Sequence, residues 1–151
     1  AALGMQLMTV RRRQEFGEPT IDDVMAECDF IALSVPLTPA THGIITAARI
    51  AKMRSNAVLI NVSRGAVVDE TALSDALAEK RIRGAALDVF TTEPLPPDHR
   101  FWSLDNVLVS PHSADHTADS HDRAMRFFLE NLARFQRGES LENVVDKKEQ
   151  Y

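Results

Sequence analysis

Short runs of Val, Ile, Leu and Ala, almost unbroken by polar residues, recur along this chain and alternate with stretches of helical period. The runs lie at Asp29 to Ser34, Ala57 to Val62, Gly84 to Val89 and Val107 to Val109. Continuous apolar character over strand length is what a parallel strand covered on both faces requires. Parallel neighbours cannot be joined by tight turns; they need crossovers of a dozen residues or more, usually helical. The alternation therefore predicts an α/β chain with a doubly wound parallel sheet. With 151 residues, 44% of them hydrophobic, there is material for one domain with a real core.

A further apolar run, Met5 to Val10, reads as the first strand. It follows Leu3-Gly4, where the glycine reads as the C-cap of a helix lying mostly upstream of residue 1. Thr20 is placed to cap a short helix through Glu27. Val35-Pro36-Leu37-Thr38-Pro39 is a rigid loop, since its prolines fix φ and remove donors. Helices are expected over Thr46 to Met53 and from Asp69 through Lys80, the second opened by its aspartate. After the proline-rich loop Glu93 to Pro97, Thr117 is expected to cap a long helix to about Arg137. That helix would bury Ala124, Phe128, Leu132 and Phe135 and stop at Gly138. Residues 1–138 then form one partial domain and 139–151 a polar C-terminal tail.

Charge and cysteine content remove several function classes. A net charge of −5 with 26% charged residues argues against nucleic acid or an anionic membrane as the main partner. Cys28 is the one cysteine, so neither a disulfide framework nor a cysteine metal site is available, and a reducing, cytoplasm-like compartment fits. No apolar run reaches the roughly 18 residues of a spanning helix. No metal site is expected: His112 and His116 are four apart, but in a Pro-broken loop with no third ligand. A serine hydrolase is disfavoured by the lack of a G-x-S-x-G elbow.

Three chemically capable residues share one topological position, at or just beyond the C-terminal end of a predicted strand. Arg64 follows the strand ending at Val62, Glu93 the strand ending at Val89, and His112 the strand ending at Val109. Ligands bind at that edge of open α/β sheets. The Arg suits a carboxylate, which it holds with two parallel hydrogen bonds; the Glu suits one imidazole nitrogen, leaving the other for a substrate. Taken singly, each has a plainer reading, as a surface ion pair, a solvated loop acid or a capping imidazole. Their common edge favours an acid/base site.

Val35-Pro36-Leu37-Thr38-Pro39-Ala40-Thr41, Leu59 to Asp69 with Ser63-Arg64-Gly65 at its centre, Ala86 to Leu95 and Ser110-Pro111-His112 together resemble successive signatures of the D-isomer-specific 2-hydroxy-acid dehydrogenases. They stand in family order and cover nearly the whole chain. The resemblance implies a Rossmann-like dinucleotide-binding domain, similar to those of hydroxypyruvate and glyoxylate reductases, with Arg64, Glu93 and His112 catalytic. It implies hydride transfer between nicotinamide and a small 2-oxo or 2-hydroxy acid. It also makes Val35, Pro36, Thr41, Val62, Arg64, Asp88 and His112 cofactor contacts, Asp88 through the nicotinamide carboxamide. For Val35 and Val62 simple core packing is an equal alternative, and for Asp88 a carboxylate bonded to local amides. A cytoplasmic homodimer is the implied assembly.

Two departures qualify the resemblance. No G-x-G-x-x-G occurs; the family's loop would fall just upstream of Ala1, together with the central strand of the sheet. The expected chain therefore lacks its first strand, its pyrophosphate cradle and the substrate domain, and by itself is expected to be inactive. Ser113-Ala114-Asp115-His116 also puts a second imidazole, His116, in contention with His112. At the strand end where an acid would mark NAD preference stand Arg11 and Arg12, which favour NADP over NAD, with a solvated basic turn as the alternative. His42, His99 and His121 read as surface residues. The rival functions are a non-catalytic, dinucleotide-sensing regulator of the same fold and an inactive truncated product.

Overall fold

A computed structural model describes residues 4–11 and 17–148. Residues 4–111 and 112–148 fall into two compact units. In the first, four parallel strands, β1 (Phe30–Leu33), β2 (Val58–Asn61), β3 (Gly84–Leu87) and β4 (Val107–Val109), form one sheet in the order β1-β2-β3-β4. Helix α1 (Ile21–Glu27) leads into β1, while α2 (Ala47–Ile50) and α3 (Glu70–Ala78) lie in the crossovers from β1 to β2 and from β2 to β3. This is the predicted Rossmann-like α/β architecture.

The core lies between these helices and one face of the sheet. Met25 of α1, Ile50 of α2 and Leu73, Ala76 and Leu77 of α3 are buried with Ile31, Leu33, Leu59, Ala85 and Leu87. Burial alternates along β1 and β2, as the period-2 pleat dictates when one face is packed. The other face is more open than continuous apolar runs require. Phe30 is 52% and Leu108 69% exposed, and the Arg83 guanidinium lies 5.0 Å from the Phe30 ring centroid.

Local signals were well placed. Thr20 caps α1 reciprocally with Asp23, Asp69 caps α3 by accepting from Ala72 N at 3.0 Å, and Gly138 takes φ 69° after the long helix. Gly4 also has φ 69°; the helix expected before it falls on residues outside those described. Cys28 is half-buried, and its burial, aided by Glu27 and Asp29, pushes the thiol pKa up, making it a poor nucleophile.

Five expectations need correction. Met5 to Val10 forms no strand: Leu7 is 85% exposed, and the run has no neighbouring ladder among the described residues to satisfy its backbone. The helix expected over Thr46 to Met53 spans only Ala47–Ile50, with Thr46 as its cap, and β2 and β3 end at Asn61 and Leu87 because their next residues turn into loops. In the second unit, α4 (Ser120–Gln136) begins after Asp119, which stands at the N-cap position without a capping side-chain hydrogen bond; Thr117 Oγ1 donates to Asp119 Oδ1 at 2.8 Å. None of α4 is buried: Phe128 is 59% and Phe135 70% exposed. An apolar stripe states that a helix needs a partner surface but does not supply one.

Asp22 of α1 binds Arg49 of α2 and Lys52, both at 2.9 Å, and the Lys52 and Arg49 hydrogen bonds hold its carboxyl below the ordinary 3.8. A lowered native pKa stabilises the fold above the unfolded value and ceases to do so as pH falls through the native one. Urea midpoints should therefore favour the wild type over Asp22→Asn at neutral pH, and the gap should close below pH 3.8. A gap that does not change with pH would contradict this pairing.

Candidate active site

The strand register determines where chemistry can be assembled. Leu33, Asn61, Leu87 and Val109 are paired in one row across the four strands, so the segments that follow all leave the sheet at one edge. Those segments carry Val35 and Pro36, Val62 and Arg64, Asp88 and Glu93, and the Ser110-Pro111 that leads to His112.

After β2 the chain is knotted by the buried Asn61. Its Oδ1 accepts from Ser63 N at 3.0 Å and Ser63 Oγ at 2.7 Å, and its Nδ2 donates to the Arg64 carbonyl at 3.1 Å. Arg64 is thereby held extended and exposed, its guanidinium donating to the Ser63 carbonyl at 2.6 Å. Gly65 then meets the chain leaving β3. A Cβ there would lie 1.9 Å from the Phe90 carbonyl carbon and 2.2 Å from Thr91 N, so two backbones touch where no side chain fits.

Beyond β3, Asp88 is buried and accepts from Ser110 Oγ at 2.5 Å, tying the ends of β3 and β4 together. Glu93 Oε1 accepts from Phe90 N at 2.9 Å and folds the loop back on itself ahead of a cis Glu93-Pro94 bond. On the β1 side, Thr41 Oγ1 donates to the Pro36 carbonyl at 2.6 Å and accepts from Thr38 N at 2.8 Å. Gly43 N and Ile45 N donate to the Ala66 and Val67 carbonyls at 2.8 and 3.0 Å, fastening this loop to the one after β2. Val35 is 36% and Val62 43% exposed, so core packing does not account for them.

His112 begins the second unit and is exposed, with φ 52°, in the left-handed region that a non-glycine residue seldom occupies. The rival His116 is exposed beside the equally exposed Asp115, 3.7 Å away. Arg11 is exposed, while Arg12 lies outside the described residues. The reading of His99 as a surface residue is overturned. Its ring lies 4.7 Å from the buried Phe101 ring, and its Nε2 is 3.3 Å from Glu70 Oε1. Sequence reasoning also passed over Gly65, Asn61 and Ser110; of these, Asn61 was recognisable as a polar residue inside an apolar run. Among the described residues no group of three His, Cys, Asp or Glu side chains is placed to hold a metal, and no helix is long and apolar enough to cross a membrane.

The family model for the D-isomer specific 2-hydroxyacid dehydrogenase NAD binding domain matches residues 1–114, a span that contains Arg64, Glu93 and His112. The chain belongs to this family. A glyoxylate reductase of Korarchaeum cryptofilum is 41% identical over 128 residues, which is 85% of this chain and 39% of that protein. An NADPH-dependent glyoxylate/hydroxypyruvate reductase of Sinorhizobium meliloti, solved with NADP and sulfate, is 35% identical with a TM-score of 0.85, covering 99% of this chain and 51% of that one. A D-isomer specific 2-hydroxyacid dehydrogenase of Lactobacillus delbrueckii ssp. bulgaricus in its NAD-complexed form is 26% identical with a TM-score of 0.84, over 95% and 50%. The chain thus spans about half, or less, of these 2-hydroxyacid dehydrogenases. All its candidate residues beyond the strand ends belong to the shared part.

In this dehydrogenase domain the Gly65 contact should be intolerant of even a methyl group, because the atoms it would strike are backbone and cannot rotate away. Gly65→Ala should cost roughly 3 kcal/mol, the upper end of overpacking penalties. The shift in denaturant midpoint measures it, and a loss below about 1 kcal/mol would show that the two loops are free to separate.

Proposed function

We propose that this chain is the nicotinamide side of an NAD(P)-dependent 2-hydroxyacid dehydrogenase, a reductase of small 2-oxo acids, and that it works within a longer protein. The observation that carries the reading is the strand register, which sends Arg64, Asp88, Glu93 and the segment before His112 off one edge of the sheet. The residues there fit the nicotinamide end of a dinucleotide. Val35 and Val62 offer exposed apolar surface to a flat ring, and the buried Asp88 offers carboxylate oxygens to a carboxamide. Pro36 and Thr41 form the rigid loop beside them. The pyrophosphate has no counterpart here, since no G-x-G-x-x-G occurs among the 151 residues.

When bound, the dinucleotide supplies the hydride. Arg64 grips the substrate carboxylate and polarises the keto oxygen, placing C2 for attack. His112 gives that oxygen its proton, and Glu93 orients the imidazole and balances its charge. Arg64 and His112 also border the nicotinamide. His112 is favoured over His116 by its left-handed backbone directly after Pro111.

NADP is the preferred cofactor in this reading and NAD the second. An exposed Arg11, with Arg12 beside it in sequence, suits a ribose 2′-phosphate, and the S. meliloti relative was solved with NADP, whereas the L. delbrueckii one is NAD-complexed. We further propose a cytoplasmic homodimer. The exposed Trp102, in the loop running from Glu93 to Leu104, supports an interface there.

NADPH oxidation with glyoxylate and hydroxypyruvate tests the reading, comparing this chain with the protein at the full length of its relatives. Turnover is expected only at full length, reduced roughly 100-fold or more by His112→Ala. Arg11→Asp should lower the NADPH-to-NADH preference about tenfold or more. Cofactor binding without turnover at full length would instead favour the dinucleotide-sensing alternative.

A further inference from the structure

Glu70, the first residue of α3, stands 21 residues before Thr91, yet it reaches the loop that carries Glu93. One carboxylate oxygen, Oε2, accepts from Thr91 N at 2.9 Å; the other, Oε1, lies 3.3 Å from His99 Nε2. His99 is itself fixed. Its Nδ1 accepts from Phe101 N at 3.3 Å, so the ring proton sits on Nε2 and points at Glu70. The ring also packs against Phe101, which is 1% exposed and part of the core. Both members of the pair are shielded, with side chains 22% and 23% exposed for Glu70 and His99.

A line of contacts therefore runs from the core through Phe101, His99 and Glu70 to the Thr91 amide. Immediately before that amide is Phe90, whose own N–H donates to Glu93 at 2.9 Å. Gly65 presses on the same peptide from the other side. Thr91 is exposed, so without Glu70 its amide turns to water; the loop loses its tether while the fold keeps no unsatisfied buried donor. A first-turn glutamate also complements the helix dipole, but that role requires neither His99 nor Thr91.

We infer that Glu70 is a positioning residue for Glu93: by clamping Thr91 it sets the loop that carries the proposed His112 partner, with His99 locking the clamp. The inference rests on the reading of Glu93 given above. Because the clamp touches neither substrate nor cofactor, its loss lowers kcat and leaves the binding of NADPH nearly unchanged.

The experiment uses the protein at full length with NADPH and glyoxylate, and compares Glu70→Ala, Glu70→Gln and Asp75→Ala. Asp75 pairs with Arg100 at 2.5 Å between the same helix and the same loop region, but without reaching Thr91. Glu70→Ala should lower kcat roughly 10- to 100-fold, as misplacement of a supporting group does, with KM for NADPH changed by less than about twofold. Glu70→Gln keeps one oxygen acceptor for Thr91 but turns an NH2 donor toward His99 Nε2–H, so it should recover only part of kcat, to a value between Glu70→Ala and the wild type; a dipole role would allow no recovery. Asp75→Ala should leave kcat unchanged. Unaltered kcat in Glu70→Ala, a Gln variant as poor as Ala, or an equal loss in Asp75→Ala overturns the inference. Amide exchange at Phe90 and Thr91 provides a readout independent of turnover. Faster exchange in Glu70→Ala is expected, and unchanged exchange overturns the clamp even if the wild type shows no turnover. A wild type without turnover but with the exchange effect would overturn the reading of the site and leave the clamp standing.

Discussion

A backbone contact that admits no side chain organises the edge of the sheet where the chain leaves β2 and β3. Gly65 lies on the peptide joining Phe90 to Thr91, closely enough that any Cβ would overlap it. The chain leaving β2 and the chain leaving β3 are thus brought together without a gap, Arg64 on one side of the contact and Glu93 on the other. Hydrogen bonds then fix each loop internally, through Asn61 in the first and through Phe90 N and Glu93 in the second. Close packing supplies the distance and polar groups supply the orientation.

The parallel register gives that contact its functional meaning. Ladders that end in one row deliver every post-strand segment to the same edge, which brings the loops carrying residues 64 and 93 to one side of the sheet despite their separation in sequence. The opposite requirement, gripping a pyrophosphate, calls for a glycine-rich turn and a helix N-terminus, and the chain contains no such sequence. The chain spans 39% to 53% of the length of several of its relatives.

Much of this was legible in the sequence, and the rest was hidden for identifiable reasons. The strands after residue 29, the Thr20 and Asp69 caps and the stop at Gly138 follow from short-range rules that act within a few residues. The positions of Arg64 beyond β2, of Glu93 beyond β3 and of Ser110-Pro111 beyond β4 could be read because the apolar runs mark the strand ends. By contrast, the close approach at Gly65 was not read, since nothing local reveals a backbone arriving from 25 residues onward. His99 seemed a surface residue because its partners, Glu70 and Phe101, are recruited through tertiary packing. Met5 to Val10 and α4 have correct local patterns, yet strand and buried face alike depend on a neighbour, and a pattern records the demand without showing whether it is met.

The central claim, that this edge of the sheet directs hydride to C2 of a 2-oxo acid, is tested most directly by following the transferred atom. The protein at full length would be given NADPH deuterated at the reactive C4 position together with glyoxylate, and the hydroxy acid formed would be examined by NMR and mass spectrometry. Deuterium is expected at C2 of the product, with formation of that labelled product falling sharply when Arg64 is replaced by Ala. Product without deuterium, or labelled product made equally well without Arg64, would contradict the claim.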